Sequence, residues 1–403
     1  MMKYIIVLGD GMADEPQETL GGKTPLEYAS TPTMDALAGT AEIGMVRTIP
    51  EGMKPGSDTA NLSVLGYDPK KYYTGRSPLE ALSIGVDMKE TDVALRCNLV
   101  TISEEEGKTY AEQTIIDHSS DEISTEDAAV LLQAAADVLE DGRYRFYVGT
   151  SYRHCTIWAD GKVMELTPPH DVLTRVIGPY LPGDQTLRAM QERSYECLKN
   201  HPLNLERKAK GLKPANSLWF WGAGTRPMLD SFEGIHQKKG VMVSAVDLLK
   251  GIAVGAGMAV ASVEGANGGL HTNYEGKARA AVDALLKDGC DFAYIHVEGP
   301  DEMGHQGSVE RKIRAIEYLD QRLIRLVREE MDASGEDYRM LILPDHPTPV
   351  RVRTHVADPV PYLLYDSRNR ERHGGLYGES EGRKSGIIVP EGRLLMKKLL
   401  EEE

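Results

Sequence analysis

Six short runs of mostly apolar residues constrain this chain more than any other feature. They are 3–8 (KYIIVL), 241–245 (VMVSA), 258–263 (MAVASV), 292–297 (FAYIHV), 339–344 (RMLILP) and 360–365 (VPYLLY). A strand with one wet face alternates apolar and polar residues. Several of these runs do not alternate, which suits strands buried on both faces of a sheet covered by helices. Amphipathic segments lie between them. The stretch 273–289 (NYEGKARAAVDALLKDG) has Thr272 and Glu275 in capping-box spacing and stops at Gly289. The stretch 308–331 places Ile313, Ile316, Leu319, Leu323 and Val327 on one helical face. Strand–helix alternation of this kind predicts an α/β fold, a mostly parallel sheet flanked by helices.

Residues from about 90 to 215 read differently. Strand-like runs (ALRCNLVTI, RYRFYVGTSY, RHCTIWAD) surround a helix at 128–140, and Pro/Gly-rich loops lead to a second helix at 185–199 and a basic linker, LERKAKGLKPAN. The expectation is a core domain built from 1–90 and 216–403, with 91–215 inserted as a smaller α+β domain. A length of 403 residues accommodates two to three such units.

Charge narrows the partners. The chain has 62 acidic and 46 basic residues, a net charge of −16. Such a surface argues against nucleic acid or an anionic membrane as the main partner, yet leaves room for a small anionic substrate in a cleft lined by a few arginines. The longest apolar stretch, 251–263, is too short and glycine-rich to span a bilayer. Four widely spaced cysteines, Cys97, Cys155, Cys197 and Cys290, read as reduced thiols, and no signal-peptide layout precedes the first strand. A cytoplasmic location is expected.

In α/β proteins chemistry collects at the carboxyl ends of the strands. Three strand ends here carry candidate ligands: Asp10 in GDG, Asp301 and His305 in EGPDEMGH, and Asp345 and His346 in PDHPTP, with His355 following in RTHVADP. Singly, each has an ordinary reading: Asp10 as a turn residue, Asp301 as an N-cap, His355 as a surface histidine. Together, three carboxylates and three imidazoles at three strand ends form a costly cluster unless cations neutralise it. Mixed carboxylate and imidazole donors suit Mn²⁺, Zn²⁺ or Co²⁺, and six are enough for two ions that keep open positions.

A two-metal site needs a nucleophile, and Ser57 offers one. It follows Gly56 at the start of a helix-like stretch, where backbone N–H groups and the helix dipole favour an anion. Ser57 or Asp58 as a plain N-cap is the competing reading. No P-loop occurs, and GDGMAD and GAGTRP lack the third glycine of a dinucleotide fingerprint.

The motifs LGDGMAD, GSDTANLSVLGYDP, PDEMGH, PDHPTP and RTHVADPVP, in that order, resemble the archaeal-type cofactor-independent phosphoglycerate mutases of the alkaline phosphatase superfamily. TPPHD, SAVDLLKGI and TNYEGKA extend the resemblance over nearly the whole chain. The resemblance implies an alkaline-phosphatase-like fold with an inserted, moving lid domain. It implies two divalent metal ions, Mn²⁺ or Zn²⁺, one held by Asp301, His305 and His355 and the other by Asp10, Ser57, Asp345 and His346. It also implies that Ser57 takes the phosphate of 3-phosphoglycerate as phosphoserine and returns it to the 2-hydroxyl, while the lid excludes water.

A small phosphorylated substrate also needs cationic partners. Candidates are Arg153 and His154 in TSYRH, His118 in DHSSDE and Arg226 in GTRP, each with an ordinary structural reading beside it. The loop 117–123 departs from the mutase pattern. If Asp121 and Glu122 line the cleft, they suit a cationic amine, which points to the alternative of a mutase-like phosphotransferase acting as homoserine kinase in threonine synthesis. A metal-dependent phosphatase or phosphonate hydrolase is a third reading, and a degenerate binding protein a fourth. The metal ligands alone do not separate the first three.

Overall fold

The computed structural model describes residues 2–372 and 374–401, and the chain divides into two compact units, Met1–Tyr73 with Leu229–Glu403, and Thr74–Met228. The expected insertion at 91–215 falls within the second unit.

The first unit is an α/β layer structure around one eight-stranded sheet. Its strand order is Ile388–Val389, Glu42–Val46, Val360–Asp366, Tyr338–Leu343, Lys3–Gly9, Phe292–Val297, Gly240–Val243, Ala259–Ala261. Only Val360–Asp366 runs against the others; it pairs antiparallel with both neighbours. The apolar runs behave as their patterns require: Lys3–Gly9 and Phe292–Val297 are buried at every position. The run 258–263 does not. It shortens to Ala259–Ala261 at the sheet edge, where Val260 is exposed, because an edge strand has no neighbour to cover it.

The helices cover both faces. Ala278, Ala281, Val282 and Leu285 of the helix Tyr274–Leu286 pack with Ile5, Val7, Ala293 and Ile295 of the sheet. Asn273, not Thr272, caps that helix, its side chain accepting from Gly276 N at 2.8 Å. The long amphipathic segment forms Val309–Tyr318 and Arg325–Ser334, joined by a π-helical stretch, Leu319–Ile324. Within that stretch the buried Asp320 accepts from Thr33 N (3.1 Å) and Met34 N (2.7 Å), capping the helix Pro32–Ala38 from outside. On the helix Val309–Tyr318, Lys312, fully buried, donates to Asp14 (2.8 Å) and to the carbonyls of Ala13 and Thr348. One ammonium group thus fastens the turn after Lys3–Gly9 to the turn after Tyr338–Leu343.

The second unit is α+β. Strand Val93–Ile102 pairs antiparallel with Arg153–Trp158, Ser217–Thr225 and the short Ile115–Asp117, and Tyr144–Thr150 lies outside Arg153–Trp158. Period-2 alternation sorts its faces. Leu95, Cys97 and Leu99 pack with Leu131, Leu132 and Ala135 of the helix Thr125–Leu139 and with Leu187 and Met190 of Gln185–Leu198. Arg96 and Asn98 point to the other face. All four cysteines are free thiols. Among the described residues no helix is long and apolar enough to cross a membrane.

Candidate active site and metal centre

Three adjacent strands of the first unit deliver the donors. Tyr338–Leu343, Lys3–Gly9 and Phe292–Val297 are parallel neighbours, with Leu8 in register with both Leu343 and His296. Asp345, Asp10 and the helix Gly299–His305 therefore emerge side by side. In that helix Asp301 and His305 are four residues apart and share a face. The turn after Lys3–Gly9 must be tight. Gly11 has φ +59°, and a Cβ there would lie 2.5 Å from Asp301 Oδ1 and 2.6 Å from Thr348 Oγ1.

Asp301, His305 and His355 come together. Asp301 Oδ2 is 3.1 Å from His305 Nε2, and Asp301 Oδ1 is 3.5 Å from His355 Nε2. The two imidazole Nε2 atoms are 3.0 Å apart. Burial opposes charge on Asp301, but the hydrogen bonds to His305 and His355 hold its carboxyl well below the usual range. His305 is pushed up to about 9, chiefly by its bond to Asp301.

Asp10, Ser57, Asp345 and His346 come together as well. Ser57 Oγ lies 3.2 Å from His346 Nε2 and 3.4 Å from Asp10 Oδ2. His346 Nε2 is 3.5 Å from Asp10 Oδ1 and 3.4 Å from Asp345 Oδ2. Asp345 is aligned by three N–H donors, Gly11 N (3.0 Å) and His346 N (2.9 Å) on Oδ1 and Asn61 Nδ2 (3.0 Å) on Oδ2. Burial pushes the Asp10 carboxyl well above its ordinary value, and the negative charges of Asp345, Asp301 and Glu298 push it further.

These residues fit divalent cations on three structural grounds. Asp10 Oδ1 is buried and has no hydrogen-bond partner. His305 Nδ1 lies 3.0 Å from the carbonyl of Arg353, which can only accept, so in the neutral ring Nε2 carries a lone pair facing Asp301 and His355. Finally, Asp301, His346 and His355, and separately Asp10, His296 and Asp345, each offer donor atoms within 4.8 Å of one another. Lone pairs and carboxylates converging this closely repel unless positive charge lies among them.

The sequence pattern did not single out His296. Fully buried at the end of its strand, it places Nε2 3.0 Å from Asp10 Oδ2 and Nδ1 3.3 Å from Ser244 Oγ. Burial lowers it to about 4, so the ring is neutral, and Nε2 stands within hydrogen-bond distance of Asp10 Oδ2. Asn61 and Tyr294 were also missed: Tyr294 donates to Asn61 Oδ1 at 2.5 Å, and Asn61 Nδ2 reaches Ser57 O as well as Asp345. So was Lys277, fully buried, whose amine donates to His296 O at 3.0 Å. The available signal was positional. Tyr294 and His296 alternate with core residues Ala293, Ile295 and Val297, so their polar ends share the opposite face of the strand.

In the second unit the four substrate-binding candidates separate. His118 sits 5.7 Å from the Tyr152 ring and 6.3 Å from His170, and Arg153 stacks over Tyr152 at 5.3 Å. His170 and Arg96 approach Trp221 at 5.4 and 4.4 Å, and Trp221 Nε1 donates to Asn98. His118 and Arg153 therefore belong to one polar, aromatic face. His154 does not. It pairs in register with Cys97 on the helix-covered side, buried, accepting from Gly149 N and lowered to about 4 by burial. Adjacent strand residues point to opposite faces, so Arg153 and His154 cannot act on the same surface. Arg226 is held by the Met88 carbonyl at 2.8 Å. Asp121, whose charge suggested a cationic substrate, accepts from both the backbone N and the ammonium of Lys213, at 2.8 and 2.6 Å.

A model of the family described as 2,3-bisphosphoglycerate-independent phosphoglycerate mutase matches residues 38–204. A probable 2,3-bisphosphoglycerate-independent phosphoglycerate mutase of Geobacter sulfurreducens is 46% identical over 405 residues, spanning 99% of this chain and 100% of its own. One from Methanosarcina barkeri is 45% identical over 392 residues, 96% of each chain. Among solved structures, the PH0037 protein of Pyrococcus horikoshii superposes with a TM-score of 0.82 at 29% identity, covering 100% of this chain and 98% of its own. The cofactor-independent phosphoglycerate mutase of Thermoplasma acidophilum gives 0.67 at 26%, covering 100% and 99%. The chain belongs to the 2,3-bisphosphoglycerate-independent phosphoglycerate mutase family.

Proposed function

We propose that the chain interconverts 3-phosphoglycerate and 2-phosphoglycerate, with divalent metal ions, through a phosphoserine at Ser57. One observation carries the reading: Ser57 Oγ stands at the start of a helix within 3.2 Å of His346 Nε2 and 3.4 Å of Asp10 Oδ2. Asp301, His305 and His355 would hold one ion, and Asp10, Ser57, Asp345 and His346 the other, with Mn²⁺ or Zn²⁺ suited to the donors. Bound divalent ions supply the positive charge that ionises the serine hydroxyl and offsets charge on the phosphoryl oxygens.

The chain's own residues do the rest. Ser57 Oγ forms a bond to phosphorus while the bond to the 3-oxygen of glycerate breaks, and the serine proton ends on that oxygen. The 2-hydroxyl of the retained glycerate then bonds to the phosphorus as the bond from phosphorus to Ser57 Oγ breaks, and the 2-hydroxyl proton passes to Ser57 Oγ, restoring the serine. Asn61 and the backbone N–H groups of Gly11 and His346 keep Asp345 in place throughout. His118 and Arg153, which share one polar face of the second unit, are proposed as anion-binding residues. A cytoplasmic location accords with this reaction and with four free thiols.

The test is to incubate metal-loaded protein with 3-phosphoglycerate and read 2-phosphoglycerate through enolase, with ATP and homoserine in a parallel run. Turnover is expected in the first. Turnover only in the second overturns the reading and establishes a kinase.

A further inference from the structure

We propose that Thr348 is a positioning residue whose hydroxyl fixes the tautomer of His346 and ties that ring to Asp301, so that one side chain aligns a donor in each of two clusters. Thr348 is fully buried. Its Oγ1 lies 2.5 Å from Asp301 Oδ1 and 3.3 Å from His346 Nδ1. A hydroxyl has one hydrogen. The hydroxyl donates to Asp301 Oδ1, so its one hydrogen is spent there. The remaining bond must then run from His346 Nδ1–H to the lone pair of Thr348 Oγ1. With its proton on Nδ1, neutral His346 presents a bare Nε2, the atom that faces Ser57 Oγ, Asp10 Oδ1 and Asp345 Oδ2.

The rotamer has little freedom to reverse this. A Cβ at Gly304 would come within 2.9 Å of Thr348 Cγ2, so the methyl group packs against the helix Gly299–His305 and the hydroxyl is turned the other way. Thr348 N donates to Ala13 O, and Thr348 O accepts from the buried Lys312 ammonium at 2.8 Å. Both neighbours are themselves fixed in the core.

The test uses full-length protein. Two-bond ¹H–¹⁵N spectra of metal-free, histidine-labelled protein report the tautomer, and calorimetry with Mn²⁺ reports affinity. Wild type and Thr348→Ser should show His346 protonated on Nδ1, and Thr348→Val on Nε2. Mn²⁺ affinity should fall about 10- to 100-fold in Thr348→Val and recover in Thr348→Ser. If the valine variant does not fold, Thr348→Ser against Thr348→Ala isolates the hydroxyl, since both lack the methyl group. An Nδ1–H tautomer and unchanged Mn²⁺ affinity in Thr348→Val, or identical behaviour of the serine and alanine variants, overturns the proposal. The affinity arm rests on the metal reading above, whereas the tautomer arm needs neither metal nor turnover. Wild-type protein without mutase activity would therefore sink the functional reading and leave the tautomer result standing.

Discussion

His305 and His355 hold their Nε2 atoms 3.0 Å apart, with Asp301 against both. His305 Nδ1 is engaged by the Arg353 carbonyl, so either a proton or a cation must lie between those rings. A metal ion binding there displaces the proton. Titration of metal-free protein with Mn²⁺ or Zn²⁺ in two buffers of different ionisation enthalpy should therefore show proton release near neutral pH. Two equivalents are expected in the wild type and one in His355→Ala. An unchanged stoichiometry in that variant removes His355 from the ligand set.

His296 Nε2 contacts Asp10 Oδ2 at 3.0 Å from a fully buried position, and Asp10 is a candidate ligand through its Oδ1, which has no hydrogen-bond partner. His296→Leu fills the space and deletes that contact, loosening the hold on the Asp10 carboxylate. Metal affinity should drop about 10- to 100-fold with the fold retained by circular dichroism. Wild-type affinity in the folded variant would show that Asp10 is held by other contacts.

Glu379 gives a pH prediction remote from the metal ligands. It is 2% exposed and accepts from Thr24 Oγ1 (2.6 Å) and Asp14 N (3.1 Å). Burial pushes it up to about 7, Glu27 adds negative charge nearby, and Lys312 is engaged by Asp14. Because the folded value exceeds the ordinary 4.5, the folded state binds more protons between the two. This group's contribution is full below about 4.5 and is lost as pH rises through about 7. Glu379→Gln should remove that decline, raising stability at pH 8 relative to pH 4.5 by up to about 3 kcal/mol. Urea unfolding at both pH values measures it, and parallel wild-type and variant profiles contradict it.

The strands carrying Asp10, Asp301 and Asp345 were legible because each is an apolar run ending in a turn, and local pattern suffices for that. The partners that align them were not. Asp10 and His296 are 286 residues apart, and their contact depends on the parallel register of two strands, which no local pattern states. Thr348, Asn61 and Tyr294 are hidden for the same reason: a hydroxyl or amide becomes informative only when its acceptor is known. The separation of Arg153 from His154 was readable, since neighbours in a strand face opposite ways. The cap at Asn273 is a local bond to Gly276 N, with the Thr272 hydroxyl instead accepting from Asn267 N, whereas the π-helical stretch around Asp320 accompanies tertiary bonds to Thr33 and Met34 that no local spacing states.

The most direct measurement is a rapid acid quench of metal-loaded protein turning over 3-phosphoglycerate, followed by peptide mass spectrometry. The phosphoryl group should appear on Ser57, and Ser57→Ala should lose it along with about 10⁴-fold or more of kcat while still binding metal. Phosphate on another residue, or appreciable turnover by Ser57→Ala, would contradict the account.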